Sequence, residues 1–181
     1  MEYKILTQST PNPNARKFLV AKDVKTTGKV SFSHPAECLN VPLASALLAL
    51  PTVTQVHLFE NVITVNQNDR LTWDELEPQI RETIQKFISD HDPNFVGAEE
   101  PVRQDLPEDV RRIEEVLDRT IRPGLQADGG DVQVMEVAGN LITIRYEGAC
   151  GSCPSSRSGT LEAIQSILRT EINEEIEIAA I

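Results

Sequence analysis

The chain has 181 residues, of which 40% are hydrophobic, 25% are charged and only 4% are aromatic. This length suits one large domain or two small ones, with a core built mainly from aliphatic side chains. The formal net charge of -11 argues against nucleic acids and anionic membranes as primary partners.

The negative charge is concentrated in the second half of the chain. Residues 1–97 carry 9 basic and 11 acidic side chains, whereas residues 98–181 carry 8 and 17. No stretch approaches the roughly 20 apolar residues that a membrane-spanning helix needs. The N-terminal residues lack the basic and then apolar pattern of a signal peptide. We therefore expect a cytoplasmic protein with neither nucleic acid nor membrane among its partners.

Residues 1–92 predict a first small domain that mixes strands and helices. Its predicted strands cover residues 3–8, 17–20, 30–33, 53–59 and 62–65. A helix is predicted over residues 42–50, and a second begins at the capping-box pair Thr72 and Glu75 and runs to about Ser89. Two prolines and two asparagines in Thr10–Asn14 predict a structured turn, which either locks the first strands together or contacts a partner.

Residues 93–107 are polar and rich in proline, which predicts a linker to a second domain over residues 108–181. This second domain is predicted to begin with a helix, Glu108–Thr120, that ends at Arg122-Pro123-Gly124. The further elements predicted are strands over 132–137 and 141–146, a helix over 154–170 and an edge strand over 176–178. The fold class is therefore α+β, with two small α/β-layer domains and a helix–strand–strand–helix order in the second.

Two cysteines, Cys150 and Cys153, flank Gly151-Ser152 in the loop before the last predicted helix. Two residues between thiols let both sulfurs reach one metal or cluster. Cys153 precedes Pro154 and is predicted at the N-terminus of that helix, where the helix dipole favours the thiolate form that binds metal. Ser155, Ser156 and Arg157 are expected to donate hydrogen bonds to cluster sulfides. This loop is the candidate metal site, and we expect a cluster held there to be exposed and easily released.

Counting ligands predicts that two chains share this site. A cluster or a structural zinc usually takes about four protein ligands, whereas one chain offers two here. The three histidines all lie in the first half of the chain. Two chains related by a two-fold axis would supply four thiolates, which predicts a homodimer.

Several readings of the same residues remain open. Cys150 and Cys153 would also suit a dithiol–disulfide oxidoreductase or a zinc site. Alternatively, the protein is an adaptor that acts through its first domain, and the two cysteines have no role. Cys38 is either a third ligand or a half-buried structural thiol. Asp128 and Asp131, around Gly129-Gly130, either bind a cation or shape a turn.

The motif Cys150–Ser156, preceded by Gly124–Val132, resembles the C-terminal domain of NifU-like (Nfu-type) iron–sulfur proteins over about residues 108–178. The first half resembles the N-terminal Nfu domain through Thr10–Asn14, Lys17-Phe18 and the Phe59 to Val65 hairpin.

This resemblance implies a carrier, and not an enzyme, that binds a [4Fe-4S] cluster, or alternatively a [2Fe-2S] cluster, bridging two protomers. It implies that Cys150 and Cys153 are the cluster ligands. The partners implied are an upstream assembly scaffold and the apo iron–sulfur proteins that receive the cluster. The N-terminal domain is expected to contact partners and not to bind the cluster.

Overall fold

A computed structural model describes residues 3–96, 106–151 and 159–181 of the chain. The chain divides into two units, Met1–Ala98 and Glu99–Ile181, and both contain helices and a sheet. The predicted α+β class with two small domains is therefore confirmed.

The first unit is built on a five-stranded antiparallel sheet in the order β1-β2-β5-β4-β3. Its strands are β1 (Ile5–Ser9), β2 (Ala15–Val20), β3 (Lys25–Phe32), β4 (Val53–Glu60) and β5 (Val62–Gln67). Its helices are α1 (Pro42–Leu48) and α2 (Trp73–Phe87), and a short 3-10 turn spans Pro35–Cys38. Leu76, Ile80 and Ile84 of α2 are fully buried and join one aliphatic core with the sheet, as their helical spacing predicts.

The end of the first unit differs from the predicted linker. Residues 93–96 pack against the first unit, since Thr26 N donates to Pro93 O at 3.1 Å and Phe95 is only 8% exposed. The Phe95 ring lies 6.2 Å from that of Phe32, and His91 Nε2 donates to Val24 O at 2.7 Å. This segment is polar and contains proline, so its composition did not indicate that Phe95 belongs to the core of the first unit.

The second unit has a three-stranded sheet in the order β6-β7-β8. Its elements are α3 (Glu108–Thr120), α4 (Arg122–Ala127), β6 (Gly130–Ala138), β7 (Leu141–Gly148), α5 (Leu161–Glu171) and β8 (Glu177–Ala180). β6 and β7 form the predicted antiparallel hairpin, and β8 pairs with β7 in parallel. Leu117, Ile144, Ile164 and Leu168 are fully buried in its core.

Helix α4 was not predicted, because Arg122-Pro123-Gly124 indicated only the end of the preceding helix. α3 does end there, with Ile121 N donating to Leu117 O at 3.0 Å. A new helix then starts, with Pro123 in its first turn, where the missing N–H of proline has no helical partner to lose. α4 brings Arg122 and Gln126 onto the beginning of β6.

Candidate functional site

Cys150 lies in a tight turn that follows the hairpin of the second unit. Gly148 has a φ of 57°, a left-handed conformation that glycine adopts without strain. Cys150 N donates to Glu147 O at 3.3 Å and Gly151 N donates to Gly148 O at 3.1 Å. Ala149 N donates to Gly129 O at 3.0 Å, which ties the turn to the residue before β6. The backbone around this predicted ligand is therefore well fixed.

The side chain of Cys150 is buried, with 5% exposed, and belongs to the core of the second unit. A methyl group added at Gly130 would overlap the Cys150 sulfur and would lie 2.8 Å from the Cys150 nitrogen. The sulfur therefore packs directly over the bare backbone of Gly130. This position differs from the exposed loop that the sequence predicts, because the turn folds back onto β6.

The second predicted ligand, Cys153, lies outside the described residues, as do Pro154, Ser155, Ser156 and Arg157. Their predicted roles at the helix N-terminus and around a cluster remain predictions. The described part of the last helix, α5, begins at Leu161.

Tyr146 lies near the cysteine turn, at the end of β7. Burial raises the pKa of its phenol to about 12, and the negative charge of a Cys150 thiolate adds to this effect. Within the described part of the chain, its buried hydroxyl oxygen has no hydrogen-bond partner. Tyr146 is therefore neutral at physiological pH beside the cysteine.

Arg122 forms the centre of a buried ionic network beneath the Gly129-Gly130 turn, with only 4% of its side chain exposed. Its guanidinium nitrogens lie 2.7 Å from Glu114 Oε2, 2.5 Å from Asp118 Oδ1 and 3.2 Å from Asp131 Oδ1. Burial alone would lower the Arg122 pKa, but the three carboxylates outweigh burial and raise the pKa above its ordinary value. Arg122 therefore remains a cation. The sequence patterns did not single out this residue, although the four-residue spacing of Asp118 and Arg122 was the available signal.

Asp131 is fully buried and is part of that network. Its carboxylate accepts from Val132 N at 2.6 Å and from Gln126 Nε2 at 2.9 Å, in addition to its pair with Arg122. These contacts favour the prediction that Asp131 shapes a turn over the prediction that it binds a cation. Asp128 is exposed at the end of α4, and Gly129 next to it has a φ of 81°.

Cys38 lies in the other unit and is fully buried, with its sulfur 3.5 Å from Pro35 O. Burial raises the pKa of its thiol, as expected of a structural cysteine rather than a metal ligand. Of the histidines, His57 and His91 are buried and hydrogen-bonded, and His34 is exposed. Within residues 3–96, 106–151 and 159–181, no three His, Cys, Asp or Glu side chains are arranged to hold a metal ion.

The Thr10–Asn14 turn of the first unit is rigid. The Thr10 hydroxyl donates to Asn12 O at 2.9 Å, and Asn12 is 1% exposed. Trp73 Nε1 donates to Pro13 O at 2.8 Å, and the Arg16 guanidinium lies 4.9 Å from the centre of the Trp73 ring. These contacts favour the prediction of a turn that locks the first strands.

Comparison with known proteins gives matches over both units. Residues 5–91 match the family described as scaffold protein Nfu/NifU N terminal, and residues 113–179 match the NifU-like domain. The human NFU1 iron-sulfur cluster scaffold homolog, mitochondrial, is 37% identical over 175 residues, which cover 94% of this chain and 68% of that protein. NifU-like protein 5, mitochondrial, from Arabidopsis thaliana is 33% identical over 178 residues, and the match covers 94% of this chain but only 65% of that protein.

Among solved structures, the solution NMR structure of a NifU-like protein from Saccharomyces cerevisiae matches 54% of this chain and 87% of that chain. The TM-score is 0.45 and the sequence identity is 23%. In the part of this chain that the structure describes, no helix is both long enough and apolar enough to cross a membrane.

Proposed function

Because the chain belongs to the Nfu/NifU family of iron–sulfur cluster scaffold proteins, we propose that it binds a cluster through Cys150 and Cys153 and passes it to other proteins. The observation that carries this proposal is the backbone-fixed turn that holds Cys150 at the end of the hairpin, in the region that matches the NifU-like domain. The cluster is the cargo of this protein.

Cys150 and Cys153 supply two thiolates from each chain, and a [4Fe-4S] cluster takes about four ligands. A second copy of the chain supplies the other two, so the loaded form is a homodimer bridged by the cluster. A ligand set divided between two chains also provides a route for release, because separation of the protomers halves the number of bonds to the cluster. The recipients are apo iron–sulfur proteins, and an upstream assembly scaffold supplies the cluster.

Loading requires the cysteine turn to open. With 5% of Cys150 exposed, the sulfur does not reach a metal outside the protein unless it leaves its position over Gly130. Gly148 and Gly151 flank Cys150 and give the turn the backbone freedom for this movement. The thiol loses its proton on binding, since the thiolate is the form that coordinates iron.

Anaerobic reconstitution with iron and sulfide tests the proposal directly. We expect about two iron and two sulfide atoms per chain, and a native mass of two chains in the loaded form. A shared [2Fe-2S] cluster would instead give about one of each per chain.

Matched alanine variants identify the ligands. Cys150→Ala and Cys153→Ala are each expected to lose the bound iron, whereas Cys38→Ala, at the buried cysteine of the other unit, is expected to retain it. Full iron binding by both of the first two variants would refute the assignment. Reduction of insulin disulfides by iron-free protein would support the dithiol alternative instead.

A further inference from the structure

We infer that Arg122 is a positioning residue for the Cys150 turn. This inference rests on the proposed function, in which Cys150 is a cluster ligand. Arg122 fixes the start of β6 at Asp131 and Val132. These two residues in turn fix Gly129 and Gly130, which hold the turn that carries the Cys150 thiol.

The first step runs from the guanidinium to the start of β6. Arg122 Nη2 donates to Val132 O at 3.0 Å and Nε donates to the same oxygen at 3.3 Å. Arg122 Nε also lies 3.2 Å from Asp131 Oδ1, so one side chain contacts two consecutive residues of the strand. The other side of the guanidinium binds Glu114 and Asp118 on α3. Arg122 therefore joins the first helix of the unit to the start of β6.

The second step runs from that strand start to the cysteine. Gly130 pairs with Gly148 in the β6–β7 register, and Gly129 O accepts from Ala149 N at 3.0 Å. The Cys150 sulfur lies over Gly130 with no room for even a methyl group between them. A displacement of Gly129 or Gly130 would therefore move the backbone of the turn and uncover the sulfur.

A planar cation with several donors is well suited to this position. The guanidinium contacts three carboxylates and a carbonyl oxygen at once, in a fixed geometry that a lysine ammonium does not reproduce. Asp131 is fully buried. Without Arg122 its carboxylate would be a buried charge with no positive partner, and we expect it to move toward solvent. That movement would pull on Gly130, its immediate neighbour.

The test measures the exposure of the Cys150 thiol in the full-length apo-protein. Iodoacetamide labelling of Arg122→Met, Arg122→Lys and the parent is followed by mass spectrometry, with Cys150 resolved from Cys153 by fragmentation. Cys38 serves as a buried internal reference in the other unit. Arg119→Met is the matched control, because Arg119 lies near the end of α3, three residues before Arg122, but pairs with Glu171 at the surface.

We expect the Cys150 labelling rate, relative to that of Cys38, to rise at least tenfold in Arg122→Met, while circular dichroism still shows folded protein. Arg122→Lys should give an intermediate rate and Arg119→Met the parental rate. Because loading requires the turn to open, the rate of iron uptake on reconstitution should rise in the same order. A purely structural role would raise Cys150 labelling only as far as the lower free energy of unfolding of the second unit allows, and urea denaturation of each variant gives that limit.

A labelling ratio within twofold of the parent in a folded Arg122 variant would overturn the inference. If Arg122→Met does not fold, the labelling ratio of Arg122→Lys is used for the test. If neither variant folds, Arg122 acts only on stability and the inference fails. Because labelling is measured without a cluster, it is independent of the proposed function. Failure of the parent to bind iron would refute the proposed function even where the labelling ratios follow the expected order.

Discussion

At Gly130 the absence of a side chain leaves the space that the Cys150 sulfur occupies. The close contacts there involve both the sulfur and the backbone nitrogen of Cys150, so rotation of the thiol alone does not relieve them. Any side chain at this position must displace the turn.

We therefore expect Gly130→Ala to lower the free energy of unfolding of the second unit by about 1–3 kcal/mol through overpacking. The same variant should label faster at Cys150. Chemical denaturation and thiol labelling measure the two effects.

Gly124→Ala is the matched control for that substitution. Nothing lies within 4 Å of a methyl group at Gly124, which sits in helix α4. The change is expected to leave labelling unaltered and to raise stability by about 0.4–1 kcal/mol, because alanine restricts the unfolded chain. Equal effects of the two substitutions would contradict the packing of Cys150 on Gly130.

We expect His91 to make the stability of the first unit depend on pH. Burial lowers its pKa below the ordinary value of 6.5, and the charge of Lys22 acts in the same direction, against the opposing effects of Val24 O and Asp92. Below about pH 6.5 the unfolded chain takes up a proton more readily than the folded chain, so stability falls as the pH drops toward the folded-state pKa.

Urea denaturation of the parent and of His91→Gln between pH 7.5 and pH 5 checks this dependence. The variant is expected to lose less stability on acidification than the parent. His34→Gln, at the exposed histidine of the same unit, should follow the parent. Identical slopes for all three proteins would show that His91 is not the titrating group.

At the scale of single elements, the start of α2 combines a capping box with an acidic first turn. Thr72 N donates to Glu75 Oε2 at 3.0 Å, and the Thr72 hydroxyl donates to the same oxygen at 2.7 Å. These hydrogen bonds lower the Glu75 pKa. The carboxylate therefore stays ionised next to the positive end of the helix dipole.

We expect Thr72→Ala to lower the free energy of unfolding of the first unit by about 1 kcal/mol, the usual contribution of an N-cap side chain. Thr72→Ser keeps the hydroxyl and should stay close to the parent. Thermal and urea unfolding provide the measurement. A loss of equal size in both variants would assign the effect to packing of the threonine methyl group.

The regular elements follow from local sequence, and this explains which of them were predicted. The hairpin turns at Glu60-Asn61 and Ala138–Asn140, the capping box at Thr72 and helix α3 all carry their signals within a few residues, and the structure confirms them. Helix α4 contains proline and glycine, which are typical of a turn, and contacts of Arg122 and Gln126 with α3 and β6 hold it in place. The contact of Cys150 with Gly130 joins residues 20 positions apart, so no local pattern reports it.

At the scale of the whole molecule, the end of the first unit determines how the chain can be divided. The sequence places the boundary at residue 92, whereas Phe95 contacts Phe32 and lies under the Lys25 ammonium, 4.8 Å from the ring centre. Lys25 Nζ also donates to Phe95 O at 3.1 Å. The last residues of the first unit therefore belong to its fold.

A fragment of residues 1–92 is expected to be less stable than one of residues 1–96 by about 3 kcal/mol, the lower end of the usual cost of deleting a buried phenylalanine. Urea denaturation of the two fragments measures the difference. Phe95→Ala in the longer fragment separates the contribution of the ring from that of the backbone hydrogen bonds. Equal urea midpoints for the two fragments would show that the fold of the first unit ends at residue 92.

The burial of Cys150 has a consequence for chemical damage. Oxidation of a cysteine to sulfenic and then to sulfinic acid requires an accessible thiolate, and the later step is rarely reversed. With its sulfur packed against Gly130, the protein presents little of the Cys150 thiol to peroxide. Under the proposed function, the closed turn that delays loading would also protect the thiol between rounds of cluster transfer.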